Sequence, residues 1–300
     1  MKFRIFALLC NLTALAACNA PNATGKLTNN VQESTIIGDT VTALSDSLWY
    51  IYQDKRGNYW FGSNGEGVFR YDGKAILNFT TKHGLGSDSI RQIQEDKSGN
   101  MYFSTMRGIN KFDGQKITTL EPIRSTDWKL EADDLWFNML GKKDEEGPYR
   151  YDGKNLYNLA FPKHFLHDEF HKNGINPFFS PYEVYCIYKD RNGVMWFGTS
   201  VFGLCRFDGQ SVKWMYEKDL TIVPAGGSFG IRSIFEDRQG SLWICNTQHR
   251  YKMDLEATAK SDRLQYQKVK GIGNAKDFGG DPYIYYSYIV EDNNGAIWLT

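Results

Sequence analysis

A repeat of about 40 residues is the feature that most constrains how this chain can fold, because such a period is typical of solenoids and ring-shaped proteins. One motif of the repeat is an aromatic residue followed by Asp-Gly. Its aspartates, in chain order, are Asp72, Asp113, Asp152 and Asp208. The recurrence indicates that one small structural unit is used several times.

A second motif, Asp-x-x-Gly followed by an aromatic residue, marks the same units. It occurs at Asp54/Gly57/Trp60, Asp96/Gly99/Tyr102, Asp190/Gly193/Trp196, Asp237/Gly240/Trp243 and Asp292/Gly295/Trp298. The third unit lacks it and keeps only Leu135-Trp136-Phe137. Six units are therefore visible, and the sixth reaches Thr300 about halfway through its pattern.

Each unit is predicted to be a small antiparallel sheet. In the first unit, four apolar-rich segments are separated by polar turns, and Asp72-Gly73 favours a two-residue type I′ hairpin. The predicted strands are residues 48–53, 59–62, 68–71 and 75–79. Four strands per unit with no intervening helix predict an all-β fold, a β-propeller of four-stranded antiparallel blades packed around a central channel.

Composition agrees with this fold and excludes some functions. Aromatic residues make up 15% of the chain and there are 29 glycines, which suits short strands joined by tight turns. The 35 basic and 35 acidic residues give a net charge of +0, so a nucleic-acid partner is not expected. No nucleophile motif or phosphate loop is present, and we expect no cofactor and no enzymatic activity.

Two stretches of the fourth unit carry a family resemblance. Residues 187–199 (IYKDRNGVMWFGT) and 203–209 (GLCRFDG) resemble the two-component regulator propeller repeat, and the similarity extends over about residues 45–300. Propellers of this family occur in bacterial sensor ectodomains and in free-standing lipoproteins. The resemblance implies the fold directly and a role in signalling only by association.

The first residues read as an export signal. Lys2 and Arg4 precede a short apolar stretch that is too short to span a bilayer. Leu15-Ala16-Ala17-Cys18 resembles a lipobox, which implies lipidation of Cys18. The alternative is an ordinary secretory signal cut near Ala17 or Ala20.

The expected domains are a signal peptide (1–18), a linker (19–24) and the propeller (25–300). Because Asn19 stands where an aspartate would imply retention at the inner membrane, we expect a lipid-anchored protein of the bacterial envelope. Its expected location is the outer membrane, facing the periplasm or the cell surface.

The ends of the chain are predicted to close the ring. Residues 25–37 align with residues 67–79 of the first unit, so they could supply the two strands that the sixth unit lacks. This predicts six blades. The alternative is a seven-bladed ring of which this chain carries only a part.

The predicted binding site lies at one face of the ring. Extra residues follow the fourth strand of units three, four and five, at about 160–182, 217–229 and 269–284. Five residues before the turn aspartate, at the start of the innermost strands, the units carry Trp49, Arg91, Tyr185, Arg232 and Ser287. Arginines among aromatic rings could bind a carboxylate, a phosphate or a sugar. The alternative is that these side chains only pack between blades.

Histidines and cysteines of the chain raise the questions of a metal site and of a disulfide bond. His164, His167 and His171 would share one face of a helical turn and are weak candidates for metal ligands. The alternative is an amphipathic insert that lies on the blades. Cys186 and Cys205 are predicted to flank a common strand, too far apart for a disulfide bond.

The leading hypothesis is a non-enzymatic propeller that binds a small molecule, a glycan or an envelope protein. A metal-assisted lyase similar to streptogramin lyases is the alternative, with His249 as base and Glu66 or Glu145 as partner. A third possibility is an assembly scaffold.

Removing residues 19–40 tests the ring closure. If the N-terminal segment completes the last blade, the deletion should lower the melting temperature, since blades depend on their neighbours for stability. An unchanged thermal unfolding curve would exclude closure by this segment.

Overall fold

A series of antiparallel sheets follows the sequence repeats in the computed structural model, which describes residues 37–139, 147–172, 180–216, 230–245, 249–272 and 289–299. We call the sheets blades one to six. The strands of blade one are β1 (Asp39–Val41), β2 (Leu48–Gln53), β3 (Tyr59–Ser63), β4 (Val68–Tyr71) and β5 (Ile76–Phe79). Those of blade two are β6 (Ile90–Glu95), β7 (Met101–Thr105), β8 (Gly108–Phe112) and β9 (Ile117–Leu120). The bounds predicted for the four strands of the first unit are thus correct to within one residue.

The remaining blades follow in chain order. Blade three contains β10 (Pro122–Ser125), β11 (Leu135–Phe137), β12 (Tyr149–Tyr151) and β13 (Leu156–Leu159). Blade four contains β14 (Val184–Lys189), β15 (Met195–Thr199), β16 (Leu204–Phe207) and β17 (Val212–Met215). Blade five contains β18 (Ile234–Glu236), β19 (Leu242–Ile244), β20 (His249–Asp254) and β21 (Gln265–Lys270), and blade six contains β22 (Ile289–Glu291) and β23 (Ile297–Leu299). The described helices are short: a 3-10 turn at Thr81–His83, α1 (His167–Phe170) and α2 (Leu255–Ala259). None of them has the length and apolar character needed to cross a bilayer.

Successive strands pair side by side in blades two, four and five, as predicted. Cys186 and Cys205 lie on strands that flank β15, and the cysteines among the described residues are free thiols. The propeller fold expected from the repeat is confirmed, whereas the number of blades in a closed ring stays a prediction.

The turn after each innermost strand is organised by its aspartate. In blade one, Asp54 Oδ1 accepts hydrogen bonds from the backbone N–H groups of Arg56 (3.0 Å) and Asn58 (2.9 Å). Its Oδ2 accepts one from the indole Nε1 of Trp60 at 2.8 Å. Gly57 has a φ of +86°, which a residue with a side chain would adopt only with strain. Burial raises the pKa of Asp54, but the hydrogen bonds from Trp60 and its neighbours outweigh that effect and lower it overall.

The same bond from an aromatic side chain to the turn carboxylate recurs around the ring. The pairs are Tyr102–Asp96 (2.9 Å), Trp196–Asp190 (2.8 Å), Trp243–Asp237 (3.1 Å) and Trp298–Asp292 (2.9 Å). The bond fixes the ring so that it can fill the space between blades. Trp60, for example, packs against Phe103 and Phe112 of blade two with ring centroids 5.6 and 5.9 Å apart.

The Asp-Gly turn differs from the sequence prediction. Tyr71 pairs with Ile76, so four residues separate the paired strands and Asp72 is not a central residue of a two-residue turn. Its carboxylate accepts the backbone N–H groups of Lys74 and Ala75, both at 2.9 Å. The side chain therefore stabilises the loop from its first position, as aspartate often does in turns.

A second set of contacts, which we call the clasp, joins neighbouring blades at the turn end. The backbone N–H of Lys55 donates to Glu95 Oε2 at 3.0 Å, and Lys55 Nζ donates to the carbonyl oxygen of Asp96 at 2.8 Å. The equivalent backbone bonds are Arg191 to Glu236 (3.1 Å) and Arg238 to Glu291 (3.0 Å). Each clasp links the residue after one turn aspartate to the glutamate before the next.

Blade three departs from the common pattern. Its sheet order is β10-β13-β12-β11, so it has no innermost strand equivalent to β2, and β10 pairs in parallel with the outer strand β13. Asp134 instead binds the guanidinium group of Arg150 through two buried bonds of 2.6 and 3.0 Å. The indole Nε1 of Trp136 is buried and has no hydrogen-bond partner among the described residues. Blade three, which lacks the Asp-x-x-Gly motif, therefore lacks both the innermost strand and the carboxylate that accepts the indole hydrogen bond in other blades.

The N-terminal region also differs from expectation. Most of the segment predicted to close the ring, residues 25–36, lies outside the described residues. Directly after it, β1 pairs with β5 and adds a fifth strand to the outer edge of blade one, which the sequence did not predict. A deletion of residues 19–36 would therefore test closure without also removing β1.

Apolar side chains at the two ends of the described series of blades are exposed. Ile51 of blade one is 68% exposed, whereas its counterpart Ile93 is 6% exposed. Trp298 of blade six is 60% exposed, whereas Trp60 is 2% exposed. The aromatic counterparts of Trp298 in blades two to five are buried, whereas Ile187 and Ile289, two counterparts of Ile51, are half-buried.

Replacing Trp196 by Phe should destabilise the protein more than replacing Trp136 by Phe. Both changes remove the same atoms, but only Trp196→Phe deprives a carboxylate oxygen, that of Asp190, of its indole donor. The expected difference in the free energy of unfolding, measured by urea titration, is about 1–3 kcal/mol. Equal losses for the two variants would show that the carboxylate–indole bond adds little to stability.

Candidate functional site

A cavity of about 860 Å³ lies where the innermost strands begin. It is lined by Leu48, Trp49, Tyr50, Arg91, Gln92, Asn138, Tyr185, Cys186, Ile187, Arg232, Ser233, Ile234 and Ile289. These side chains come from blades one to six, so the cavity is the central channel of the propeller. Its residues are brought together by the ring and not by any one segment.

All four side chains predicted as the ligand site line this cavity. The guanidinium carbon of Arg91 lies 4.2 Å from the ring centroid of Trp49, and that of Arg232 lies 4.6 Å from the ring of Tyr185. The fifth position of the predicted set, Ser287, lies outside the described residues. Each pair joins an aromatic residue of one blade to an arginine of the next at the same repeat position.

The two arginine residues make further contacts besides those with the rings. A guanidinium group carries five N–H donors around its rim. Arg91 Nε donates to the sulfur of Met106 at 3.4 Å, and the backbone N–H of Arg232 donates to Cys245 Sγ at 2.9 Å. The second bond anchors the start of the fifth blade at the cavity wall.

Burial shapes the titration of the lining groups. It lowers the pKa of Arg91, against a smaller opposing effect of Tyr50. It raises the pKa of Tyr185, to which the charge of Glu183 adds and which Arg232 partly offsets. It also raises the pKa of Cys186 well above its ordinary value, so this thiol stays protonated and is a poor nucleophile.

Blade three shapes one side of the cavity. Because this blade has no innermost strand, the side-chain amides of Gln92 and Gln94 in blade two reach the carbonyl oxygen of Trp136, at 3.3 and 2.5 Å. Asn138 Nδ2 donates to the carbonyl oxygen of Tyr185 at 3.0 Å. Polar amide groups thus line the wall where the other blades present a strand.

Sequence reasoning missed several lining residues, including Gln92, Asn138 and Ser233. Gln92 and Ser233 directly follow Arg91 and Arg232, so counting one residue further along each innermost strand would have found them. Asn138 follows β11 in the blade that lost its motif, and no sequence signal placed it at the channel.

The loops around the cavity share one face of the ring. The backbone N–H of Asn64, in the loop between β3 and β4, donates to the carbonyl oxygen of Ser47, and Gly65 donates to that of Asp88, both at 3.0 Å. Ser47 and Asp88 precede innermost strands. These bonds place this loop beside the segments that lead to Trp49 and Arg91. Much of the sequence predicted to decorate this face, including 217–229 and 273–284, lies outside the described residues.

The histidine segment packs against blade four and not around the cavity. His164 is buried and stacks on Phe202, with ring centroids 4.4 Å apart and planes 12° apart. Burial, with smaller contributions from Arg263 and His167, lowers the pKa of His164 to about 4, so the ring is neutral at physiological pH. His167 and His171 lie on and just after α1, and no metal-ligand cluster occurs in the described part of the chain.

The residues predicted for a lyase site do not belong to the described cavity lining. His249 is the first residue of β20, and Glu66 accepts a hydrogen bond from Ser45 Oγ at 2.7 Å. Neither belongs to the described lining. Glu145 and the expected lipidation site Cys18 lie outside the described residues.

A family model described as two component regulator propeller matches three segments, residues 43–65, 84–107 and 179–201. These segments span the innermost strand and the first turn of blades one, two and four. The match confirms the family resemblance of the repeats. No curated protein matches the chain.

Solved structures share the fold. The extracellular domain of a hybrid two component system from B. thetaiotaomicron is 18% identical over 85% of this chain and 32% of its own length, with a TM-score of 0.54. Virginiamycin B lyase from Staphylococcus aureus is 10% identical over 87% of this chain and 86% of its own, with a TM-score of 0.55. PorZ, a surface component of the type-IX secretion system of Porphyromonas gingivalis, is 14% identical over 90% of this chain and 39% of its own length, with a TM-score of 0.52. This chain spans about a third of the length of the B. thetaiotaomicron extracellular domain, and the low identities establish the fold alone.

Replacing Arg91 by Ala should leave the fold almost unchanged. Its contact with Trp49 is partly exposed, and such cation–π pairs contribute about 0.5–1 kcal/mol. Arg150→Ala is the matched comparison, because it strands the buried carboxylate of Asp134 and should cost about 3–5 kcal/mol. Urea unfolding of both variants measures the difference. A large loss for Arg91→Ala would make this arginine a structural residue.

Proposed function

We propose that the chain is the non-enzymatic, ligand- or partner-binding propeller of a bacterial envelope lipoprotein. One observation carries the proposal: Trp49, Arg91, Tyr185 and Arg232, which lie in four different blades, meet on one cavity of about 860 Å³. Structural packing alone does not require aromatic and cationic side chains to converge at a channel mouth.

The cavity has the size and chemistry of a binding site. Small-molecule sites usually measure about 300–1,000 Å³ and combine apolar walls with a few polar groups. Here the aromatic rings of Trp49 and Tyr185 offer flat apolar surfaces, and Gln92 and Asn138 offer amide groups. Because the walls are strand ends held by the ring, little ordering of the site is needed on binding.

A sensing role is the form of binding that we favour. The repeats match those of two component regulator propellers, and a sensor domain from B. thetaiotaomicron shares the fold. On this proposal the chain is exported, is lipid-anchored through Cys18, faces the periplasm or the cell surface, and passes its signal to another polypeptide.

The second candidate is a lyase, favoured by the similarity to virginiamycin B lyase over most of both chains. Such a reaction would need a general base and a divalent metal at the channel mouth. His249 and Glu66 are not among the described lining residues, and the lining thiol of Cys186 is held protonated. Binding without turnover therefore fits the cavity better.

A thermal-shift screen against sugars, peptides and metals tests the proposal. The screen includes quinupristin, the compound present in a solved structure of virginiamycin B lyase. We expect at least one compound to raise the melting temperature, by mass action on the folded state. The shift should be lost in Arg91→Ala or Arg232→Ala, and the compound should be recovered unchanged by mass spectrometry. A shift that neither variant alters would move binding elsewhere, and consumption of the compound would favour the lyase.

A further inference from the structure

The charged side chains among the described lining residues of the cavity are all cationic. Among the described residues that line it, Arg91 and Arg232 are cationic and none is an aspartate or glutamate. The chain as a whole is neutral, with 35 basic and 35 acidic residues, so this local excess is not a reflection of composition. Unlike charges inside a partly enclosed, low-dielectric site attract more strongly than they do in water.

Three arginines in the strands of blades three, four and five are held by acids. Arg150 binds Asp134, Arg206 binds Asp208 at 2.7 Å and Arg250 binds Asp237 at 3.0 Å. Arg91 makes no such contact with a carboxylate in the described residues, and its only side-chain hydrogen bond there is the one to the sulfur of Met106. A partly buried guanidinium group without a carboxylate is a site that an anion can complete.

The aromatic contact also positions the donors. The guanidinium carbon of Arg91 lies over the ring of Trp49, 4.2 Å from its centroid, and this contact helps to hold the side chain at the cavity. The terminal N–H groups at its edge match the two oxygens of a carboxylate, sulfate or phosphate. Arg232 is held over Tyr185 in the same manner at the equivalent repeat position.

We propose that the central cavity is an anion site, which takes a small organic molecule bearing a carboxylate, sulfate or phosphate group at the guanidinium group of Arg91, with the positive charge of Arg232 in the same cavity lining. The uncharged part of the ligand then lies on the rings of Trp49 and Tyr185. This inference deepens the proposed function and rests on it.

Titration calorimetry with matched probes tests the charge requirement. Glucuronate and glucose share a ring and differ by a carboxylate in place of a hydroxymethyl group, and inorganic phosphate and sulfate are tested alone. We expect glucuronate, or one of the inorganic anions, to bind at least about tenfold more tightly than glucose at low ionic strength. The affinity should fall as sodium chloride is added, because salt screens the charges.

The anion affinities of substituted proteins test whether the anion binds at Arg91. Arg91→Gln should weaken anion binding by about tenfold or more, and Arg91→Lys, which keeps the charge but loses the planar fork, should weaken it less. Arg56→Gln is the control, because Arg56 is exposed in the turn at the far end of β2. Arg56→Gln should leave the affinity unchanged.

The outcomes separate this inference from the proposed function. If none of the three anions binds, or if Arg56→Gln weakens binding as much as Arg91→Gln, the anion site is wrong. If the cavity nevertheless binds a neutral compound from the thermal-shift screen, the proposed function stands without the anion site. Absence of any ligand for the cavity would overturn both.

Discussion

The bonds accepted by one carboxylate in every blade except blade three hold the other parts of the structure in position. Asp54 ties the turn together through two backbone N–H groups and, through Trp60, ties the turn to the space between blades. Because the carboxylate fixes where the innermost strand ends, it also fixes where that strand begins. The side chains five residues earlier are thereby placed at the mouth of the channel. The same bond thus connects stability and the candidate site.

This dependence explains why so much could be predicted from the sequence. The repeat gave the strands of blade one to within one residue, since turn residues and alternating apolar residues restrict the pairing register. Counting back from each turn aspartate then identified Trp49, Arg91, Tyr185 and Arg232, which line one cavity although the first and last of them are far apart in the chain. Periodicity is the information that made a long-range site predictable.

The features that could not be predicted occur where the repeat fails. Leu130 stands where the turn aspartate of the third unit would be, and the segment before it runs along the outer edge as β10, in parallel with β13. Nothing in a single sequence distinguishes a missing innermost strand from a divergent one, because outer-edge pairing depends on contacts with the neighbouring strand and not on local preference. The position of Asn138 at the cavity and the addition of β1 to blade one were missed for the same reason.

The clasp has a consequence for how these repeats can be rearranged. Its two halves belong to different blades: a basic residue after one turn aspartate and a glutamate before the next, as in Lys55 and Glu95. Blade four has Lys189 at the glutamate position, and its Nζ donates instead to the carbonyl oxygen of Ala132 in the segment before β11. If recombination placed blade four after blade one, Lys55 would meet Lys189 and two like charges would face each other. The blades are therefore not interchangeable modules, and their order is encoded in the chemistry of each junction as well as in the continuity of the chain.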